Sequence, residues 1–122
     1  MNGRDHVLAV LAAGLDPARW LVPTTGQRPD SNSRNVALAY TDHVDRAMRG
    51  SIRHLVETVD LVVVVRETRA DKLDPALDAA LLEVLELLEP DDAIAWTTAT
   101  RTAIDDTFEG WTIPLTVVCK LT

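Results

Sequence analysis

The sequence predicts an α+β domain: a mostly antiparallel sheet with two helices packed on it, in the order α-β-β-β-α-β-β. Three observations lead there. Residues 73–90, LDPALDAALLEVLELLEP, place Leu77, Leu81, Val84 and Leu88 on one helical face and Asp78, Glu83, Glu86 and Glu89 on the opposite one. Residues 36–44, VALAYTDHV, set Val36, Leu38 and Tyr40 against Ala37, Ala39 and Thr41, and 110–122, GWTIPLTVVCKLT, set Trp111, Ile113, Leu115 and Val117 against Thr112 and Thr116, each with the period of a strand. The strand segments also come in runs on either side of the long helix, unlike the one-for-one alternation that builds parallel sheets.

Taken in order, Asp5 followed by HVLAVLAAGL reads as a helix capped by Asp5, ending near Gly14, with Leu8, Leu11 and Leu15 as its stripe and Val7 beside them. Residues 19–23, RWLVP, form a brief strand. Residues 24–35 are dense in Thr, Gly, Pro, Asp, Ser and Asn and read as a loop, long enough to suggest a functional role or ordering on a partner. After the strand at 36–44, DRAMRGS makes a connection with Gly50 as its turn point. Residues 52–68 are a long β stretch with imperfect alternation from Val56 to Asp60, which predicts a bulge or a bend, and both faces are apolar over 61–65, which predicts cover on two sides. In the long helix Asp74 is the cap and Pro75 the first helical residue, and Pro90 ends it. Leu82 falls on the acidic side, where no core residue is needed. IAWTTATRTAI reads as one strand, DDTFEG as a turn, and the terminal stretch as its hairpin partner. That terminal strand points Trp111, Ile113, Leu115, Val117, Cys119 and Leu121 inward. Pro114 on its outward face marks an edge position or a bulge, to be covered by a loop or joined by another subunit.

At 122 residues the chain is one domain, 1–122, able to bury a single core. No run is long enough to span a bilayer, and VLAVLAAGL, with Asp5 directly before it and no basic cluster, is not expected to be a signal peptide. The single cysteine, Cys119, permits no internal disulfide and reads as a small buried hydrophobe. A net charge of −7 argues against general nucleic-acid binding. The charge is unevenly divided: seven Arg against five Asp leave +2 over residues 1–54, and fourteen acids against five bases leave −9 over 55–122. Halves so different in sign suit a surface that attracts a second copy of the chain.

Catalytic signatures are missing. No phosphate-cradling glycine loop or nucleophile elbow occurs, and His6, His43 and His54 lack zinc-site spacing. In TDHVD, strand alternation points Asp42 and His43 apart, which makes the segment a solvated hairpin end rather than a metal site with Asp45. Asp91-Asp92 and Asp105-Asp106 sit in turns, where Asp serves the backbone. No catalytic residue, cofactor or metal is expected. An enzyme would need a pocket with converging acids, such as Asp42, Asp60 and Glu57. Arg46, Arg49 and Arg53 are the one basic cluster, a solvated hairpin tip or a contact for an acidic protein surface.

The strand VDLVVVVRET, the helix LDPALDAALLEVLELL, the segment WTTATR and the closing GWTIPLTVVCKLT resemble the tail-terminator, or tail-completion, proteins of long-tailed siphophages, particularly those infecting actinobacteria. The resemblance spans most of the chain, and its motifs are patterns of fold. It implies a virion protein assembled in the host cytoplasm: a ring, typically of six subunits, on the head-proximal end of the tail. Its partners would be itself, the major tail tube protein and the head–tail connector. It would hold no membrane and no specific nucleic acid, although DNA passes through the ring. A neighbouring role, as a head-closure or minor capsid adaptor protein, stays open. A ring needs two different patches that meet head to tail. The expected pair is the Arg46, Arg49 and Arg53 region of one subunit against Asp78, Glu86 and Glu89 of the next, with Leu82 as an apolar contact. Alternatively, the acidic helix lines the lumen and keeps DNA from sticking.

Overall fold

The structure, a computed structural model, describes residues 2–23, 34–49 and 52–120, with backbone alone for 47–49, 52–53 and 120. The loop expected at 24–35 therefore lies mostly outside the described residues, as do the turn at Gly50 and the inward position of Leu121. The elements are α1 (Gly3–Gly14), β1 (Trp20–Leu21), β2 (Asn35–Arg49), β3 (Ile52–Val65), α2 (Ala70–Leu88), β4 (Ile94–Trp96), β5 (Thr100–Ala103) and β6 (Glu109–Lys120). The domain is α+β as expected, with one more strand, because IAWTTATRTAI divides into β4 and β5.

One sheet carries the order β1-β2-β3-β6-β4, and β5 also pairs with β6. Among the described residues only the β1–β2 pair is parallel. Both helices lie on one face. There Ala37 and Ala39, then Val59, Leu61, Val63 and Val65, then Ile113, Leu115 and Val117 form three adjacent rows under Val7, Leu8 and Leu11 of α1 and Leu77, Ala80, Val84 and Leu88 of α2. Ala80 takes the central place expected for Leu81, which is only partly buried. The opposite face is buried at Val36 and Val64 and half-buried at Val62. It opens to solvent at Tyr40 and Val118.

Four local readings are corrected. The cap of α1 is Asn2, whose Oδ1 accepts the Asp5 N–H at 2.8 Å, so the helix begins before Asp5. α2 begins at Ala70 rather than after Asp74, and Pro75 sits inside it. The entry to α2 is served instead by Glu67, whose carboxylate accepts the N–H groups of Thr68 and Arg69 at 3.1 and 3.0 Å. Residues 45–49 are no connection: β2 runs through them to Arg49, paired with β3. The ladder irregularity lies on β2, between Thr41 and His43, opposite the Thr58–Val59 stretch where it was expected on β3. β3 itself alternates regularly, and its pattern looked broken only because an acid, Glu57, occupies a core-facing position.

β6 is not an edge strand. β3 flanks it on one side, while β5 pairs with 109–112 and β4 with 115–117 on the other. The Val118 N–H donates to the Ala93 carbonyl across this second side at 2.9 Å. By strand alternation the backbone nitrogens of Thr116 and residue 114 face the same way. Residue 114 is proline and has no N–H to offer, and the ladder breaks between β4 and β5 at that place.

Three tryptophans from three strands donate their indole N–H to α2 or its end: Trp20 to Glu83 at 2.7 Å, Trp96 to Glu89 at 2.8 Å and Trp111 to the Leu77 carbonyl at 2.9 Å. Trp20 is fully buried and its acceptor is a carboxylate, so Trp20→Phe is expected to lower stability by about 2 kcal/mol in urea unfolding. Trp96→Phe, on an exposed pair, is expected to change it by less than about 1 kcal/mol.

Candidate subunit-contact surfaces

The distal parts of β2 and β3 form a long hairpin arm. Its pairing runs from Thr41↔Val59 through Val44↔Glu57 and Arg46↔Leu55 to Arg49↔Ile52, and among the described residues β6 accompanies β3 as far as His54. Residues 40–46 are exposed one after another, including Tyr40 at 54% and Val44 at 48%. Arg46 is on this run. The backbone of Arg49 and Arg53 lies farther out on the arm, and their side chains are outside the described residues.

The bulge changes the geometry of TDHVD. Asp42 and His43 do not point apart: Asp42 Oδ2 meets His43 Nδ1 at 2.6 Å, and Asp45 Oδ2 lies 3.3 Å from Nε2. Thr58 Oγ1 is 3.3 Å from the same nitrogen. The hydrogen bond to Asp42 holds the imidazole above its ordinary pKa of 6.5, helped by the charge of Asp45. A group with a raised folded pKa contributes its stabilisation fully below the unfolded value and loses it as pH rises through the folded one. An NMR titration is expected to place His43 above 6.5, and Asp42→Asn to bring it back toward that value. Among the described residues no group of three His, Cys, Asp or Glu side chains is disposed to hold a metal ion.

On α2, Asp78, Leu82, Glu86 and Glu89 are all exposed, and Leu82, at 59%, stands one turn from Asp78 and one from Glu86. Glu89 also accepts the Trp96 indole. Glu83 does not belong to this row as expected: it is half-buried and bound to Trp20 and to Arg19. Among the described residues no hydrogen bond or ion pair joins Arg46 to α2, so within one chain the basic and acidic candidates are separate surfaces.

A shallow groove of about 220 Å³ runs between the end of α1 and α2, lined by Gly14, Leu15, Asp16, Arg19, Glu83, Glu86 and Leu87. Three of its polar groups are already engaged internally, Arg19 and Glu83 with each other and Asp16 with the Ala18 N–H. The acids considered for an enzyme do not converge. Glu57 is buried on the helix-covered face, Asp60 lies on the opposite face, and Asp42 sits at the bulge. Asp91 accepts the Ala93 N–H and pairs with His6, and Asp105 accepts the N–H groups of Thr107 and Phe108, bonds that hold its carboxyl below the usual range. Both aspartates serve the backbone, as read from the sequence. Burial raises the pKa of the half-buried Cys119 thiol, which keeps it protonated.

Sequence reasoning missed Tyr40, Val44 and Val118 as exposed apolar positions. The alternation placed Tyr40 with Val36 and Leu38 on one face, but nothing in the pattern said that both helices would cover the other. A scan against protein-family models finds no match for this chain, and a search of curated proteins finds none either. No helix among the described residues is long and apolar enough to cross a membrane.

Proposed function

We propose that this chain is a structural assembly protein of a phage tail, a terminator that forms a ring on the head-proximal end of the tail tube. The ring stops further addition of tube subunits and offers the head connector a joining surface. The observation that carries this reading is the coexistence of two unlike exposed surfaces on one rigid sheet-and-helix body: the arm with Arg46, and the Asp78–Leu82–Glu86 row of α2. A closed ring is built from two such patches meeting head to tail, since a single self-complementary patch gives only a dimer. The fold order and the resemblance of the C-terminal half to tail terminators support the same role. In it the arm of one subunit, with Arg46, Arg49 and Arg53, reaches the acidic α2 face of the next, and the work is done by interface geometry rather than by bond chemistry.

The deciding experiment is electron microscopy of particles assembled without this protein. Overlong tubes unattached to filled heads are the expected result. Tails of normal length beside tailless heads move the protein to the neck, as a head-closure or adaptor component. Normal virions overturn both readings.

A further inference from the structure

We infer that Leu82 of one copy seats on the helix-side face of a second copy's arm, between Val44 and Leu55, with Arg46 against Asp78 or Glu86. The inference rests on the head-to-tail contact proposed above and gives that contact a face of the arm and an apolar centre. Exposed apolar side chains that stand singly carry no message. Val44 and Leu82, at 48% and 59%, differ because each stands beside charge, and the two signs are opposite.

Register decides the face. Glu57 lies on the side of the sheet that the helices cover, since its carboxylate accepts the Arg4 N–H at the start of α1. Val44 pairs with Glu57 and Arg46 with Leu55, so Val44, Arg46 and Leu55 continue that face outward past the start of α1. The irregularity between Thr41 and His43 sends the acids of TDHVD the other way. His43 pairs with Thr58 and Asp45 with Val56 on the opposite face, where Asp42 is bound to His43. Glu57 itself is buried and engaged with Arg4 and Thr41. Arg46 therefore sets the sign of the exposed patch. Among the described residues neither Arg46 nor Asp78 nor Glu86 has a hydrogen bond or ion pair that must break first. Leu82 stands one turn from Asp78 and one turn from Glu86, so an arginine beside its seat meets an acid whichever way the helix runs. Seated there, α2 of the second copy extends the helix layer along β2 and β3. The contact joins two unlike surfaces, so each copy keeps one of each for a further neighbour.

A disulfide trap on the full chain tests this. Val44→Cys and Leu82→Cys chains, mixed at high concentration and mildly oxidised, should form a cross-linked dimer about fivefold or more faster than either forms alone. Each variant alone is the control for the native, half-buried Cys119 thiol. Both substituted positions are exposed, so the variants keep the fold. In sedimentation velocity, Arg46→Glu and Leu82→Asp should each weaken self-association about tenfold or more. Val118→Asp, exposed on the opposite face of the sheet, should leave it within about threefold of the parent. No cross-link from the mixture, a dimer that either variant forms as fast alone, or equal losses from Val118→Asp and Arg46→Glu overturns the inference. Overlong tubes in the deletion experiment with no cross-link sink this contact and leave the terminator role. A cross-link beside normal virions removes the role and leaves the contact.

Discussion

Gly110→Ala is expected to lower the melting temperature by about 10 °C or more, corresponding to a loss of about 3 kcal/mol. Gly110 is buried near the start of β6, opposite Val64 of β3. A methyl group added there falls far inside van der Waals contact of the Val63 carbonyl oxygen and also crowds the Val64 Cα. Both obstacles are backbone atoms of the central strand, so relief requires β3 and β6 to move apart, and their ladder of twelve paired positions from His54↔Lys120 to Val65↔Glu109 holds the middle of the sheet. Gly14→Ala is the matched control. There the atoms nearest the new methyl all belong to the Leu87 side chain, which can rotate away, and the change in stability should stay within about 1 kcal/mol. Thermal unfolding followed by circular dichroism separates the two. Equal effects at both positions would mean that close strand approach at Gly110 is not what demands glycine.

Glu57→Ala should destabilise the fold by about 3 kcal/mol, whereas Glu57→Gln should cost about 1 kcal/mol. The Glu57 carboxylate is 5% exposed, yet it lies under the N-terminus of α1, where helix N–H groups lack partners within the helix. One oxygen accepts the Arg4 N–H at 2.7 Å and the other the Thr41 hydroxyl at 3.1 Å. Alanine takes the acceptor from both donors and leaves a cavity between them. Glutamine still accepts from Arg4 and can donate to the Thr41 oxygen. Gly3 belongs to the same unit, because a methyl group there would strike the Glu57 carboxylate and press on the Val117 Cβ. Gly3→Ala alone is therefore unfavourable but should be better tolerated once Glu57 is alanine. A double-mutant cycle by urea unfolding should return a coupling of about 1–2 kcal/mol. Strict additivity would dissolve the proposed contact.

The elements visible in the sequence were those whose burial follows a clean period: the α2 face through Leu77, Val84 and Leu88, the alternation of β2, and the inward residues of β6. What failed had physical causes that pattern cannot weigh. Asp74-Pro75 is a sound helix start by local chemistry, but Pro75 gives up only one N–H, and the turn before it is supported by Glu67 from outside the helix. Glu57 broke the apparent pattern of β3 because its partners come from residues 4 and 41, far away in the chain. The division between β4 and β5 becomes intelligible only once the register sets Pro114 at the break. For the contact surfaces, Leu82 was legible as an apolar residue on an acidic face. The placing of Tyr40, Val44 and Val118 depended on which sheet face the helices cover, a tertiary choice. Glu83 was misassigned because its tryptophan and arginine partners lie 63 and 64 residues away.

The three indole bonds to α2 also give the protein an internal optical reporter. Every tryptophan in the chain leans on that one helix or its end, Trp20 and Trp96 from strands at opposite margins of the sheet and Trp111 from β6 within it. Intrinsic fluorescence therefore follows the seating of α2, while the far-ultraviolet signal follows the whole backbone. If a neighbouring subunit grips the Leu82 face and shifts the helix, the emission of a single unlabelled chain will register the event.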